Sequence, residues 1–345
     1  MGGSGAEDET GYLCVDDFIA DVAGARSLAS AFEFGLVDLL VSKPSCNMDE
    51  LGAHAKLDAR GLGLLLGMLQ ANRVVELAHG NASLTASFTA ALHYRDLLEA
   101  KLDFANLVAP DFLGLFSQLL AAPERFFGKA RLFELFSYQR CFEPTAENLA
   151  NTARWVGITT ALTRYEAAAC IGRHDFSQHA RMLDVGGNSG EFALQVCRRQ
   201  AGLRATVYDL PLVCEIGAKH VATEHAGRRI EFVHADAGGG ALPQGYDVVT
   251  FKSMLHDWPE AEMRRFLARA YQALAPGGTV LIFERSLVGI GDRQVPYSML
   301  PLLLFFRSYR SSEDYGFALR AAGFRDVAAQ TIELDMPFML VTAKK

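Results

Sequence analysis

The feature that most constrains this chain is a change of rhythm at Arg181. From there on, short apolar runs alternate with helix-length amphipathic stretches. Residues 182–185 read as a buried strand, followed by the turn Gly186-Gly187-Asn188-Ser189-Gly190 and a helix over 191–199. Further strands are predicted at 204–208, 230–233, 246–251 and 279–283. Helices are predicted at 211–224, 260–274 and 315–322, with a closing strand pair at 327–334 and 338–343. Strands linked by helical crossovers specify a parallel sheet covered by helices. In such sheets, ligands bind beyond the carboxyl ends of the strands.

The chemistry-bearing residues fall at those ends. Asp184 closes the first strand, and Gly186, Gly187 and Gly190 let the backbone turn closely around a ligand before a helix with unsatisfied N–H groups. Asp209 lies 25 positions after Asp184, where a strand-end carboxylate can accept both hydroxyls of a ribose. This geometry suits NAD or S-adenosylmethionine. A pyrophosphate would be opposed by neighbouring carboxylates, whereas the ammonium of a methionine moiety pairs with Asp184, so the sulfonium cofactor is favoured. Asp236, after the third strand, can bind the adenine amino group. Taken singly, each acid could instead be a helix cap or a solvated loop residue. As an ordered set at successive strand ends they point to a cofactor.

The second signal is the run from Phe251 to Pro259, FKSMLHDWP, after the fourth strand. His256 is suited to accept a proton from a hydroxyl that attacks a methyl carbon. Full prior transfer from a phenol would cost about 5 kcal/mol, from reference pKa values of about 6.5 and 10. An aliphatic alcohol is far less favourable, so a phenolic acceptor is preferred. Glu284, ending the fifth strand, could hold the other ring nitrogen, or form a local salt bridge with Arg285. The other histidines show no metal-ligand spacing, and metal-free catalysis is the simpler expectation.

The first half reads as helical. Helices near 48–55 and 58–70, then strands near 74–77 and 82–85 across a turn at His79-Gly80-Asn81, have the layout of a winged helix. The second helix is mostly apolar and glycine, with Arg60 the nearby positive charge, so it reads as structural or dimer-forming rather than DNA-reading. Its glycines, Gly61, Gly63 and Gly67, are expected to allow close helix approach. The Phe-rich stretch 89–139 reads as helix core that could also cap an aromatic pocket, and a long helix is predicted over 148–171. The expected divisions are 1–11 mobile, 12–172 helical and 173–345 cofactor-binding.

A formal charge of −7 and the absence of a basic stripe argue against nucleic acid. Six dispersed cysteines read as free thiols in a reducing compartment. The stretch MGGSGAEDETG contains no targeting pattern, and the apolar run 299–306 is too short to span a bilayer, so a cytoplasmic protein without membrane contact is expected.

The stretches LDVGGNSGEFALQV (183–196), VYDLPLVCE (207–215), VTFKSMLHDWPEAEM (249–263), LAPGGTVLIFE (274–284) and AAGF (321–324) make the chain similar to the plant-caffeate-type small-molecule O-methyltransferases, whose bacterial members tailor polyketides, phenazines and pigments. LASAFEFGLVDLL (28–40) resembles that family's N-terminal dimerisation domain. The resemblance implies a Rossmann-like class I methyltransferase domain behind a mostly helical, winged-helix-like domain. It further implies S-adenosylmethionine as cofactor, a homodimer, and a small aromatic substrate. Asp209 with Leu210, Asp236 with Ala237, and Lys252 map onto the cofactor site. His256 maps onto the general base and Glu284 onto its first supporting glutamate, with Asp257 facing the substrate.

Two departures stand out. The family's second glutamate, in a Gly-Gly-x-Glu-Arg segment, maps onto Tyr309 of Phe306-Arg307-Ser308-Tyr309-Arg310, and one loop glycine is Asn188. Either Glu284 suffices or the catalytic arrangement is altered. Phe305, Arg307 and Tyr309 could line the acceptor pocket, with Arg307 on an acidic substituent or at the surface. Two other readings stay open: changed chemistry on the same scaffold (C- or N-methylation, decarboxylation or hydroxylation) and a non-enzymatic winged-helix regulator.

Overall fold

The computed structural model describes residues 9–235, 240–291 and 294–345. Asp236, Ala237 and residues 1–8 of the expected mobile N-terminus lie outside these. The chain forms two compact units. The smaller comprises Thr10–Arg131 and Ile290–Leu304; the larger comprises Leu132–Gly289 and Phe305–Lys345, with Glu9.

The smaller unit carries α1 (Val22–Glu33), α2 (Leu36–Ser42), the two-residue strand β1 (Cys46–Asn47), α3 (Met48–Ala55), α4 (Ala59–Ala71) and the hairpin β2 (Val75–Ala78) and β3 (Asn81–Leu84). Asn47 and Glu50 close a reciprocal cap on α3, and Asp58 accepts the Gly61 N–H at the start of α4. The three strands pair antiparallel in the order β1-β3-β2. This is the predicted winged-helix layout, with β1 added. A Cβ built on Gly63 or Gly67 of α4 would meet nothing within 4 Å, and Leu64 between them is largely exposed. Among the described residues, this stripe approaches no neighbouring helix.

The unit continues with α5 (Ala86–Ala91), α6 (Arg95–Ala121) and α7 (Pro123–Phe127). By length and composition alone, the stretch Ala86–Ala121 is the one helical segment among the described residues that could cross a bilayer. Within its unit, α6 buries Leu97, Leu98, Leu102, Ala105 and Val108 as a core helix.

The larger unit opens with α8 (Leu132–Leu135) and α9 (Ala146–Ile171), then runs through β4 (Arg181–Val185), α10 (Glu191–Arg199), β5 (Arg204–Asp209), α11 (Pro211–Val221), β6 (Ile230–His234), β7 (Tyr246–Lys252), α12 (Glu260–Ala273) and β8 (Leu274–Arg285). It closes with the helix Ser312–Ala321 and strands β9 (Arg325–Glu333) and β10 (Pro337–Lys344). The sheet order is β6-β5-β4-β7-β8-β10-β9, parallel except where β10 pairs with β8 and β9. Alternation along the strands feeds two cores. Leu183, Val185, Val249, Phe251 and Ile282 face one, with Met263, Leu267 and Tyr315; Met182, Val248, Leu281 and Phe283 face the other, with Phe192 and Val196. The strand order reverses between β4 and β7, which opens a crevice at their carboxyl ends.

The units divide at Arg131/Leu132 rather than at 172/173, and 290–304 returns to the smaller one. The physical reason is α9. It packs on α10 and α11, and its Ala167, Cys170 and Ile171 share a core with Phe176, Met182 and Phe192. The predicted helix is present, but it belongs to the sheet.

Candidate active site

Four parallel strands end at this site. Asp184, the fourth residue of β4, is fully buried. Its Oδ1 accepts the hydroxyl of Thr250 at 2.6 Å, across the register pair that joins β4 to β7. Its Oδ2 is buried without a hydrogen-bond partner. Burial pushes this carboxyl up to about 7, against the Thr250 hydrogen bond. An orphaned carboxylate oxygen at a strand end is a place for an ammonium, and the methionine moiety of S-adenosylmethionine fits it.

The loop after β4 needs its glycines for approach. Gly186 has φ +67°, and a Cβ there would lie 2.3 Å from the Met254 side chain; one on Gly187 would lie 2.5 Å from Asp184 Oδ2. Asn188 holds φ +55° without glycine. Its Oδ1 accepts from Ser189 N at 2.8 Å and from the Thr159 hydroxyl of α9 at 3.1 Å, while Thr160 and Ser189 hydroxyls lie 2.7 Å apart. Side-chain hydrogen bonds thus replace the missing glycine's freedom. Gly190, at φ +75°, starts α10.

Asp209 ends β5, its carboxylate accepting Asn188 N on one oxygen and Leu210 N on the other, each at 2.7 Å. Burial raises it to about 6 against these two bonds. Leu210 precedes the first turn of α11. The acids of β4 and β5 are brought together around the glycine loop. Asp236 and Ala237 fall outside the described residues.

Lys252 ends β7 and is bound within the protein. Its ammonium lies 2.5 Å from Glu166 Oε2 and 3.0 Å from the Thr163 hydroxyl, both on α9. Glu166 also pairs with Arg285, which reaches Asp335 at 3.2 Å. Arg285 therefore pairs away from Glu284. Sequence reasoning missed Glu166, whose one signal is a lone acid before the apolar run Ala167-Ala168-Ala169-Cys170.

His256 sits on a tight turn after β7. Its Nδ1 lies 2.7 Å from Glu284 Oε2. Glu284 is fully buried on β8, and its Oε1 accepts the Met254 and Leu255 N–H groups at 2.8 and 2.7 Å. One carboxylate thus fixes both the turn and the ring. On the far side, His256 Nε2 lies 3.3 Å from Asp257 Oδ1. Burial pushes the imidazolium toward deprotonation, but the Asp257 and Glu284 carboxylates outweigh it, and the net shift is upward.

Tyr309 is buried with its ring 5.4 Å from that of His256, and Phe305 meets the imidazole edge-on at 6.4 Å. Arg310 donates to the Leu255 and Trp258 carbonyls at 2.9 and 2.5 Å, clamping the turn. Arg307 is exposed, its guanidinium over the Phe306 ring. Of the expected acceptor-side residues, Asp257, Phe305 and Tyr309 therefore lie against His256, and Arg307 lies at the surface. Tyr138 was missed: its hydroxyl donates to Asp257 Oδ2 at 2.7 Å.

Residues 121–325 match the O-methyltransferase domain family. The chain is 34% identical over 189 residues to 3-hydroxy-5-methyl-1-naphthoate 3-O-methyltransferase of Streptomyces sahachiroi, a match covering 53% of each chain. It is 27% identical over 334 residues to the tetracenomycin polyketide synthesis 8-O-methyl transferase of Streptomyces glaucescens, covering 93% of each. The match spans about half the length of the first of these relatives, and of bovine acetylserotonin O-methyltransferase at 48%. Human N-acetylserotonin methyltransferase, solved with S-adenosylmethionine, superposes with a TM-score of 0.75 at 22% identity, over 100% of this chain and 99% of that one, which shows the shared fold. The relatives extend beyond the plant caffeate type. By the match of residues 121–325, over more than half of its length, the chain belongs to the O-methyltransferase domain family.

Proposed function

We propose that the protein transfers a methyl group from S-adenosylmethionine to a hydroxyl of a small aromatic acceptor, with His256 as the general base. The observation that carries this reading is the His256–Glu284 pair, in which a buried carboxylate held by two main-chain N–H groups fixes Nδ1 and leaves Nε2 on the opposite edge of the ring. When bound, the cofactor supplies an electrophilic methyl on sulfur. Asp184 Oδ2 would hold its ammonium, and Asp209 its ribose with Leu210 alongside. Gly186, Gly187 and Gly190 let the backbone close around it. Lys252, held by Glu166 and Thr163 at the end of β7, would lie on this side, and the resemblance assigns Asp236 and Ala237, outside the described residues, to the adenine. His256 Nε2 accepts the hydroxyl proton of the acceptor, and Glu284 stabilises the imidazolium through Nδ1. The upward shift of His256 narrows the gap to a phenol, so proton transfer accompanies attack more readily.

Phe305 and Tyr309 beside the base favour an aromatic ring, in keeping with a relative named for a hydroxynaphthoate and another for a tetracenomycin polyketide. This supports secondary-metabolite tailoring as the setting. The open glycine stripe of α4 and exposed Leu64 support a homodimer built on the smaller unit. One observation favours a second reading: Tyr309 replaces a carboxylate beside His256, which would suit changed chemistry.

The test is a mass-resolved assay with S-adenosylmethionine and a panel of phenolic acids and polyphenols, run beside His256→Ala. One methyl mass gained, equimolar S-adenosylhomocysteine and a rate about 10³-fold lower in the variant are expected. Undiminished activity in the variant would overturn the assignment of the base. Cofactor binding without turnover across the panel would favour the second reading.

A further inference from the structure

The base in this chain lacks the second glutamate at position 309, yet two carboxylates face its ring. We propose that Asp257 serves as the second carboxylate, on the Nε2 side, and that Tyr138 is the positioning residue that holds it there. The proposal rests on His256 as the base.

Asp257 follows His256 directly, and its carboxylate is also held from beyond the turn by a second partner. That partner is the Tyr138 hydroxyl, 2.7 Å from Asp257 Oδ2, which leaves Oδ1 3.3 Å from His256 Nε2. Tyr138 is held in turn, with its ring 5.9 Å from Trp258 at 27° and 5.5 Å from Trp155 of α9. The ring of Tyr309 packs against His256 and brings no anion. Glu284 on Nδ1 and Asp257 on Nε2 therefore bracket the imidazole.

The remaining groups around the pair do not replace this function. Arg285, next to Glu284 on β8, opposes the imidazolium, and Arg310 is engaged by two main-chain carbonyls. The Tyr309 and Tyr315 phenols are both pushed upward by burial and stay neutral. Burial also raises Asp257, while His256 and the Tyr138 hydroxyl oppose that rise, so the phenol helps keep the carboxylate ionised. An acceptor O–H that gives its proton to Nε2 breaks its bond as the N–H bond forms. The resulting imidazolium then has a carboxylate within reach on each side.

The experiment follows His256 directly by NMR in full-length protein labelled with 13C at histidine Cε1, the resonance assigned through His256→Gln. No acceptor is required. The wild-type ring is expected to titrate above about 6.5. Asp257→Asn is expected to lower the midpoint by about one unit, and Tyr138→Phe, which keeps the ring between the tryptophans, by about half a unit. An unchanged midpoint in Asp257→Asn overturns the second carboxylate. A fall in Asp257→Asn with none in Tyr138→Phe overturns the role of Tyr138. Where an acceptor is available, the acid limb of kcat should move with the midpoint in both variants, which loss of packing alone would not produce. If His256→Ala keeps its methyl transfer, the base assignment fails while the NMR outcome still stands on its own.

Discussion

Asp184 and Glu284 make an instructive pair. Both are carboxylates near the carboxyl ends of parallel strands, and both are fully buried. Glu284 is complete within the protein, with two main-chain N–H groups and an imidazole around it. Asp184 has one hydroxyl donor and one oxygen without a partner, and burial drives it up to about 7. On the proposed function, the difference separates a preorganised half, which would act on the acceptor, from a half that its ligand would complete.

The sharpest way to break this contrast is Glu284→Gln. The amide oxygen can still take the two N–H groups, but the NH2 facing Nδ1 imposes the wrong tautomer. A fall in kcat of about 10²-fold or more is expected, with S-adenosylhomocysteine affinity by calorimetry unchanged. Equal losses in both would erase the distinction between the halves. Asp184→Asn should do the reverse, weakening cofactor affinity about 10- to 100-fold as the ammonium loses a buried charge partner. The same variant should leave ligand-free stability level or improved.

The raised carboxyl also predicts a pH dependence. A folded value near 7, against about 3.8 unfolded, binds protons preferentially in the folded state. Its contribution is therefore fully present below about pH 4 and lost as pH rises to about 7, up to about 4 kcal/mol for this fully buried group. Asp209, raised to about 6, acts in the same direction. Melting of the ligand-free protein should thus decline across this window by more than in Asp184→Asn, and S-adenosylhomocysteine should recover the loss. A profile identical in wild type and variant would remove Asp184 as the cause. The smallest effect is expected from Thr250→Val, which removes one donor to Asp184. Cofactor affinity at pH 7 should fall a few-fold, and less at pH 8.5.

Most of the strand-end placement was legible in the sequence because it is local. A carboxylate closing an apolar run, glycines two and three residues on, and a histidine after the next strand but two are fixed by period and spacing. Residues on α9 were not legible. Thr159, Thr160, Thr163 and Glu166 recur at helical spacing, but what they touch lies 20 to 120 positions away and follows only from how α9 packs on the sheet. The same packing moved the unit boundary to Leu132. For Gly63 and Gly67, a missing side chain shows where a neighbour could approach, and no described residue of the chain takes that place. The residue at Tyr309 was visible, whereas the Tyr138–Asp257 hydrogen bond joins residues 119 positions apart.

The fastenings of the two halves also differ in origin. Thr159 and Thr160 of α9 secure the glycine loop after β4, while Arg310 ties the ring-bearing segment 305–310 to the His256 turn. On the proposed function, a substitution at Phe305 or Tyr309 would leave the hydrogen bonds of the glycine loop in place. An enzyme fastened in this way can exchange one acceptor for another across generations while its donor chemistry is inherited intact.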